Sequence, residues 1–327
     1  MQSAVDDDTT IYDETLDEDF KQFAIGESLP LVPHRPARPY GSPLLWFQTG
    51  QGGSGGILEI EKMLAVGPEA GPQVVVCKTI SRISSVASTA NFPDLGDRVV
   101  AKIFDPMFYP WEYDPLQGPW NEATIADRAF LREAAAYEKL GKEGKTGYPH
   151  IAPRFYGTFI LARTTKNPNV PPHRRTRHVG LVLLEYIRGH LMSDLCDINA
   201  YDTLLPKPNP PIVAGSELRL KVLRILLHGY IEQLHAGVEQ RLIRPENILI
   251  SSRGGALHVS LLSYGNSVVD ETCEEPLRLY EGWPHPPHPF DTFSAEKLSY
   301  LHGWFPYDWL VREFGPVENS GTYTVDY

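Results

Sequence analysis

The order of patterns along the chain predicts an α+β fold, with an antiparallel sheet early and helices late. Three observations carry this. Short β-branched and apolar runs crowd the stretch before residue 187. Two stretches, 123–140 and 217–236, place apolar residues at helical spacing. The composition, 42% hydrophobic and 22% charged over 327 residues, is that of a globular chain with one large domain or two modest lobes.

The elements follow in order. Residues 1–43 read as a flexible tail, acidic and then Pro-rich through Leu31-Val-Pro-His-Arg-Pro-Ala-Arg-Pro39, with little to bury. A fragment such as 20–25 can dock on the body. Order is expected from Leu44-Leu-Trp-Phe47, and the glycine run 50–56 reads as a linker. Strands are expected over 57–65, 73–79 and 98–104, with a polar segment before the third. Residues 105–120, rich in Pro and aromatics, read as an irregular insertion.

The helix over 123–140 has a stripe of Ile125, Ala129, Leu131, Ala135, Ala136 and Leu140. Strands follow over 155–161 and 179–186. Between them His173-Arg-Arg-Thr-Arg-His178 reads as a solvated hairpin tip. The helix over 217–236 is apolar at Leu218, Val222, Ile225, Leu226 and Tyr230. Strands at 248–250 and 258–262 flank a Gly254-Gly255 turn. The end, 276–327, is rich in Pro and aromatics, and its tryptophans are expected in the core.

Charge and cysteines exclude several classes. Thirty basic residues against 41 acidic ones leave a net charge of −11, the wrong sign for nucleic acid or an anionic membrane. Cys77, Cys196 and Cys273 are odd in number and widely spaced, which argues against a disulfide framework and a cysteine zinc site. The acidic N-terminus is unlike a signal peptide or presequence, and no apolar run reaches membrane-spanning length. The expectation is a cytoplasmic protein, with the nucleus also open to it.

Several motifs in one order resemble the protein kinase superfamily. Val99-Val-Ala-Lys-Ile103 resembles the third-strand lysine motif, and Phe130-Leu-Arg-Glu133 the C-helix with its glutamate. Val182-Leu-Leu-Glu-Tyr186 resembles the hinge. Gln240-Arg-Leu-Ile-Arg-Pro-Glu-Asn-Ile-Leu-Ile250 stands where kinases carry their catalytic loop. The resemblance covers about 57–270 and implies a bilobal kinase-like fold: N-lobe 44–186, and a short, truncated, mainly helical C-lobe 187–327. The insertion after the lysine strand, Pro286-Pro-His-Pro-Phe and Gly303-Trp-Phe-Pro-Tyr-Asp-Trp309 are similar to features of small kinase-like proteins of filamentous fungi.

The resemblance implies nucleotide-binding roles for Lys102, Glu133, Glu185 and Asn247, with Glu138 the spare acid for Lys102. Phosphoryl transfer also needs a carboxylate to orient the acceptor and another to clamp metal. Leu242 stands at the first position and cannot accept a proton. Ser263, in Leu261-Leu-Ser-Tyr-Gly265, stands at the second, a poor ligand for a hard dication. Glu239, Glu246 and Asp270 are nearby acids at the wrong positions. In the Gly-rich loop position, 65–71, Pro68 and Glu69 oppose phosphate binding.

The resemblance therefore implies a pseudokinase with no catalytic residue and no metal site, binding ATP weakly if at all and with little dependence on Mg²⁺. Its expected partner is another protein, not nucleic acid or membrane. One version makes it a regulatory subunit docking through its acidic tail or the 174–177 loop. The alternative is an active, atypical ATP-dependent phosphotransferase, on protein Ser/Thr or a small molecule, supported by Lys102, Glu133, Arg244 and Asn247.

Overall fold

The computed structural model describes residues 23–34, 36, 55–67, 70–82, 92–109, 112–114, 118–120, 122–164, 168, 171–199, 203–211, 215–269, 280, 282–293, 298–316, 318 and 321–325. The acidic run 1–22, the expected start of order at 44–47, Cys273 and Asp270 lie outside them.

The fold is α+β. Six antiparallel strands close into a barrel in the order β1-β2-β3-β4-β8-β7. These are β1 (Ser28–Pro33), β2 (Gly56–Ala65), β3 (Gln73–Arg82), β4 (Arg98–Phe104), β7 (Phe155–Thr164) and β8 (Thr176–Glu185). Strand alternation sorts their side chains. Leu29, Leu31, Leu58, Ile60, Val75, Cys77, Val99, Ala101 and Ile103 fill the interior with Phe159, Leu161, Leu181 and Leu183. Val100, Phe104, Val182 and Leu184 face outward and pack with helix α1 (Glu122–Lys142).

The first strand corrects the reading of 1–43 as a flexible tail. Leu29 and Leu31 are wholly buried, and β1 closes the barrel by pairing β2 on one side and β7 on the other. Phe23 docks in the same core, its ring 6.1 Å from that of Phe108. The tail reading fails because only Leu29, Leu31 and Phe23 carry the burial, too few to register against the surrounding prolines and acids.

The insertion after β4 is more regular than expected. A 3₁₀ turn, Pro106–Phe108, is followed by the short paired strands β5 (Glu112–Asp114) and β6 (Gly118–Trp120). Asp105 is wholly buried. It caps that turn through Met107 N at 3.2 Å and takes a two-pronged bond from Arg177, at 3.1 and 2.7 Å. The run 173–178 is therefore not simply a solvated tip: β8 begins inside it, and Arg177 anchors the insertion.

Helix α1 has acid in its first turn and Lys139 and Lys142 in its last, as the helix dipole favours. Its buried face keeps Leu131, Ala136 and Leu140 of the expected stripe. Ala126, Phe130, Ala134, Ala136, Tyr137 and Leu140 are inside, while Ile125, Ala129 and Ala135 are only partly buried. Glu133 and Asp127 also lie on the buried face, which blurs the apolar period.

The second half is built around α2 (Ser216–His235). Val222, Leu223, Leu226, Leu227, Tyr230 and Ile231 pack on the antiparallel strands β13 (Ile248–Arg253) and β14 (Ala256–Leu261). A Cβ on Gly229 would lie 2.4 Å from Ile151, so only glycine permits this approach of α2. Strand β9 (Gly189–Leu191) extends that sheet, and β10 (Cys196–Ile198) pairs β11 (Leu204–Pro206). Strand β12 (Val238–Glu239) pairs β15 (Val268–Val269). After α3 (Pro289–Thr292), helix α4 (Tyr307–Phe314) completes this core, with Trp304 and Trp309 buried in it. Among the described residues, no helix is long and apolar enough to cross a membrane.

Candidate functional site

Lys102 projects from the outer face of β4, the face packed by α1. Cross-strand registers put it opposite Val74 of β3 and Val182 of β8. Ala101, the residue before it, points instead into the barrel core. One helix face away, Glu133 is wholly buried and meets Lys102 Nζ through Oε2 at 2.5 Å. The Lys102 side chain is 10% exposed, so the pair is almost dry. Such a pair is held only if both charges stay compensated. Glu133 Oε1 has no hydrogen-bond partner among the described residues. Glu138 takes no part in this pair.

The loop 240–247 forms the second half of the site. Gln240 is 1% exposed and ties the loop together. Its amide nitrogen donates to the carbonyls of Leu242 (3.1 Å), Leu262 (3.3 Å) and Ser263 (3.0 Å). Its oxygen accepts from Leu242 N at 3.0 Å, and its own carbonyl accepts from Tyr230 Oη at 2.8 Å. Asn247 Nδ2 donates to Leu242 O at 3.1 Å, and Asn247 O accepts from Leu262 N at 2.7 Å. Leu242, Asn247 and Ser263 are thus brought together by backbone carbonyls. Leu242 is half-buried, while Ile243 is the buried member of the loop.

Ser263 has φ +64, the one described non-glycine residue in the left-handed region. Strain of this kind persists only where surroundings over-determine it, and Gln240 supplies that constraint. Two residues on, Gly265 lies beside the pair: a Cβ there would be 3.6 Å from Glu133 Oε2. Tyr264 is wholly buried between them. Gln233 donates to its hydroxyl at 2.7 Å, and its ring lies 4.9 Å from that of Tyr137, which stacks on Phe155 at 5.5 Å. Burial first, and the Glu133 charge after it, push the Tyr137 phenol up, so it is neutral.

The turn joining β2 to β3 is tied to the insertion after β4. Gln73, 1% exposed, accepts from Gly67 N at 2.8 Å and donates to the carbonyls of Gly67 and Gly71, each at 3.0 Å. Gly71 N donates to Phe108 O at 2.8 Å. The amides of both glycines are therefore already engaged, and a phosphate cradle needs them free.

Glu185 stands apart from the cluster. Its carboxylate takes Arg253 at 2.8 Å and Arg154 N at 3.2 Å, joining β8 to β13. Next to Tyr186 a 550 Å³ cavity is lined by Glu59, Glu61, Lys62 and Arg98 as well as Val76. Arg98 and Glu61 pair there at 2.6 Å. This lining is more charged than the mostly apolar walls that enclose ring ligands. In the loop, Arg241 pairs Glu239 at 3.5 Å. Arg244 stacks on the Tyr300 ring at 4.4 Å and donates to its hydroxyl at 2.9 Å.

Sequence reasoning thus paired Lys102 with Glu133 and grouped Leu242, Asn247 and Ser263. It missed Gln73, whose amide ties the turn at Gly67 and Gly71, and Arg177, whose partner Asp105 lies far away in the chain. Gln240 was visible only as a departure from the loop motif.

No family model matches the chain, and no curated protein matches it. Among solved structures it is similar to the PknI kinase domain of Mycobacterium tuberculosis, at 14% identity over 67% of this chain and 61% of that one, with a TM-score of 0.35. A single mutant of that domain matches at 13% identity over 74% of this chain and 68% of that one, again at 0.35. The chain spans less than two thirds of the first domain's length.

Proposed function

We propose that this is a kinase-like protein that works by binding another protein and not by transferring phosphate. The order of strands, helix, loop and hairpin supports a bilobal reading, with the barrel and α1 as N-lobe and the α2 half as a short C-lobe. The observation that carries the proposal is the pairing of a preserved frame with vacant chemistry. Lys102 meets Glu133, and Gln240 draws Leu242, Asn247 and Ser263 into one loop cluster. The two positions that phosphoryl transfer fills with carboxylates hold a half-buried leucine and a serine.

The residues do not fit a magnesium nucleotide. The clamp position holds the neutral Ser263, the Asn247 amide oxygen carries no charge either, and the turn amides are engaged by Gln73 and Phe108. What remains is a rigid scaffold with a closed cleft. The alternative, an atypical phosphotransferase, draws on Lys102, Glu133, Arg244 and Asn247, but the Lys102–Glu133 pair also serves as a strut between β4 and α1, and Arg244 is engaged with Tyr300.

The test restores the missing groups. Leu242→Asp and Ser263→Asp, singly and together, are assayed for transfer to a generic peptide and for ATP hydrolysis. Each single variant is expected at background and the double variant at slow hydrolysis at most. Strong transfer by the unmodified chain overturns the proposal.

A further inference from the structure

We propose that Tyr109 is an intramolecular latch: its ring fills the space between the β2–β3 turn and the Lys102–Glu133 pair, and so keeps nucleotide phosphates out. This rests on the kinase-like reading of the cleft and adds the means by which it is closed.

Four observations place the latch. Tyr109 is 8% exposed and packs in one cluster with Phe104, Ala126 and Phe130, on the face of the sheet that carries Lys102. Gly71 lies beside it: a Cβ there would be 3.7 Å from the ring, an ordinary contact. The neighbouring Phe108 carbonyl takes the Gly71 amide at 2.8 Å, which sews the turn to the insertion. Asp105, capping the turn before Tyr109 and gripped by Arg177, fixes the direction from which the ring enters.

The chemistry of the ring agrees with its place. Burial and then the Glu133 charge raise the Tyr109 phenol, so it enters the cleft neutral and near that carboxylate. Its hydroxyl has no hydrogen-bond partner among the described residues, and neither has Glu133 Oε1. A buried hydroxyl without a partner is costly. The ring is therefore held by packing and by the Gly71–Phe108 bond, and its own polar end does not fasten it. Such a plug leaves without breaking a hydrogen bond of its own side chain.

The test uses the full chain and ATP, read by calorimetry and thermal shift in EDTA and again in Mg²⁺. Wild type and Tyr109→Phe, which keeps the ring, are expected to show little or no binding at millimolar ATP. Tyr109→Ala is expected to bind at least about ten-fold more tightly, with little effect of Mg²⁺. Equal binding by wild type and Tyr109→Ala, or a folded Tyr109→Ala that binds none, overturns the latch. If Tyr109→Ala does not fold, Tyr109→Leu keeps apolar contact with a shorter side chain and carries the same expectation. Nitration of wild type by tetranitromethane gives a second reading, in which Tyr109 stays unmodified while the exposed Tyr148 reacts. Modification of both at one rate overturns the latch. The two failures are told apart by wild type: ATP binding without transfer overturns the latch alone, whereas transfer overturns both the latch and the proposed function.

Discussion

Removing the ammonium from Lys102 strands a carboxylate in the interior. Glu133 is wholly buried, Lys102 is its ion-pair partner at 2.5 Å, and among the described residues Oε1 has no hydrogen bond to spread the charge. Breaking a buried pair from one side costs about 3–5 kcal/mol, far above the ~1 kcal/mol ceiling of an exposed pair. At about 2–4 °C per kcal/mol for a chain of this class, Lys102→Met should melt roughly 6–20 °C below wild type. Removing both charges should behave differently. Lys102→Met with Glu133→Leu replaces the pair by apolar groups and should recover most of the loss, since such replacements are often neutral or stabilising by ~1–4 kcal/mol. Urea unfolding of wild type, both single variants and the double variant completes the cycle. If Lys102→Met costs less than about 1 kcal/mol, the pair is not a strut, and its retention needs a ligand to explain it.

Three further outcomes follow from particular contacts. Gln240→Ala removes the bonds that tie Leu242, Leu262 and Ser263 together, and should cost about 2–4 kcal/mol by urea unfolding, with a loss under ~1 kcal/mol speaking against its role. Leu31→Ala opens a cavity in the barrel and should cost about 2–5 kcal/mol, where a dispensable tail would cost nothing. Burial lifts the Asp127 carboxyl from 3.8 to about 6. It binds its proton more tightly folded than unfolded, so it removes stability as pH rises from about 4 to about 6. Asp127→Asn should match wild type in melting temperature at pH 4 and exceed it at pH 7; a constant difference between them would refute the assignment.

The sequence made legible what local pattern encodes. Alternating runs marked β2, β3, β4, β7 and β8, and the lysine and glutamate contexts anticipated a contact between residues 31 apart in the chain. The motif order in 240–250 anticipated a loop in which Leu242 and Asn247 meet. The closing strand β1 was not legible: Leu29 and Leu31 are inside only because β2 and β7 stand ready to pair with them. The helix stripe was legible only at Leu131, Ala136 and Leu140, because Asp127 and Glu133 occupy buried positions where period-based reading expects apolar ones. The meeting of Tyr109 with the turn at Gly71 depends on the Gly71–Phe108 bond between separate elements, and no spacing in the chain announces it.

The most direct test of the central claim is transfer of radiolabelled γ-phosphate, with Mg²⁺ and with Mn²⁺, by wild type and Lys102→Ala side by side. A frame without base or metal clamp should leave both at the background of heat-denatured protein, on peptide, on added protein and on itself. Robust turnover by wild type that Lys102→Ala abolishes would contradict the account, because it would make the buried pair part of a working phosphotransferase.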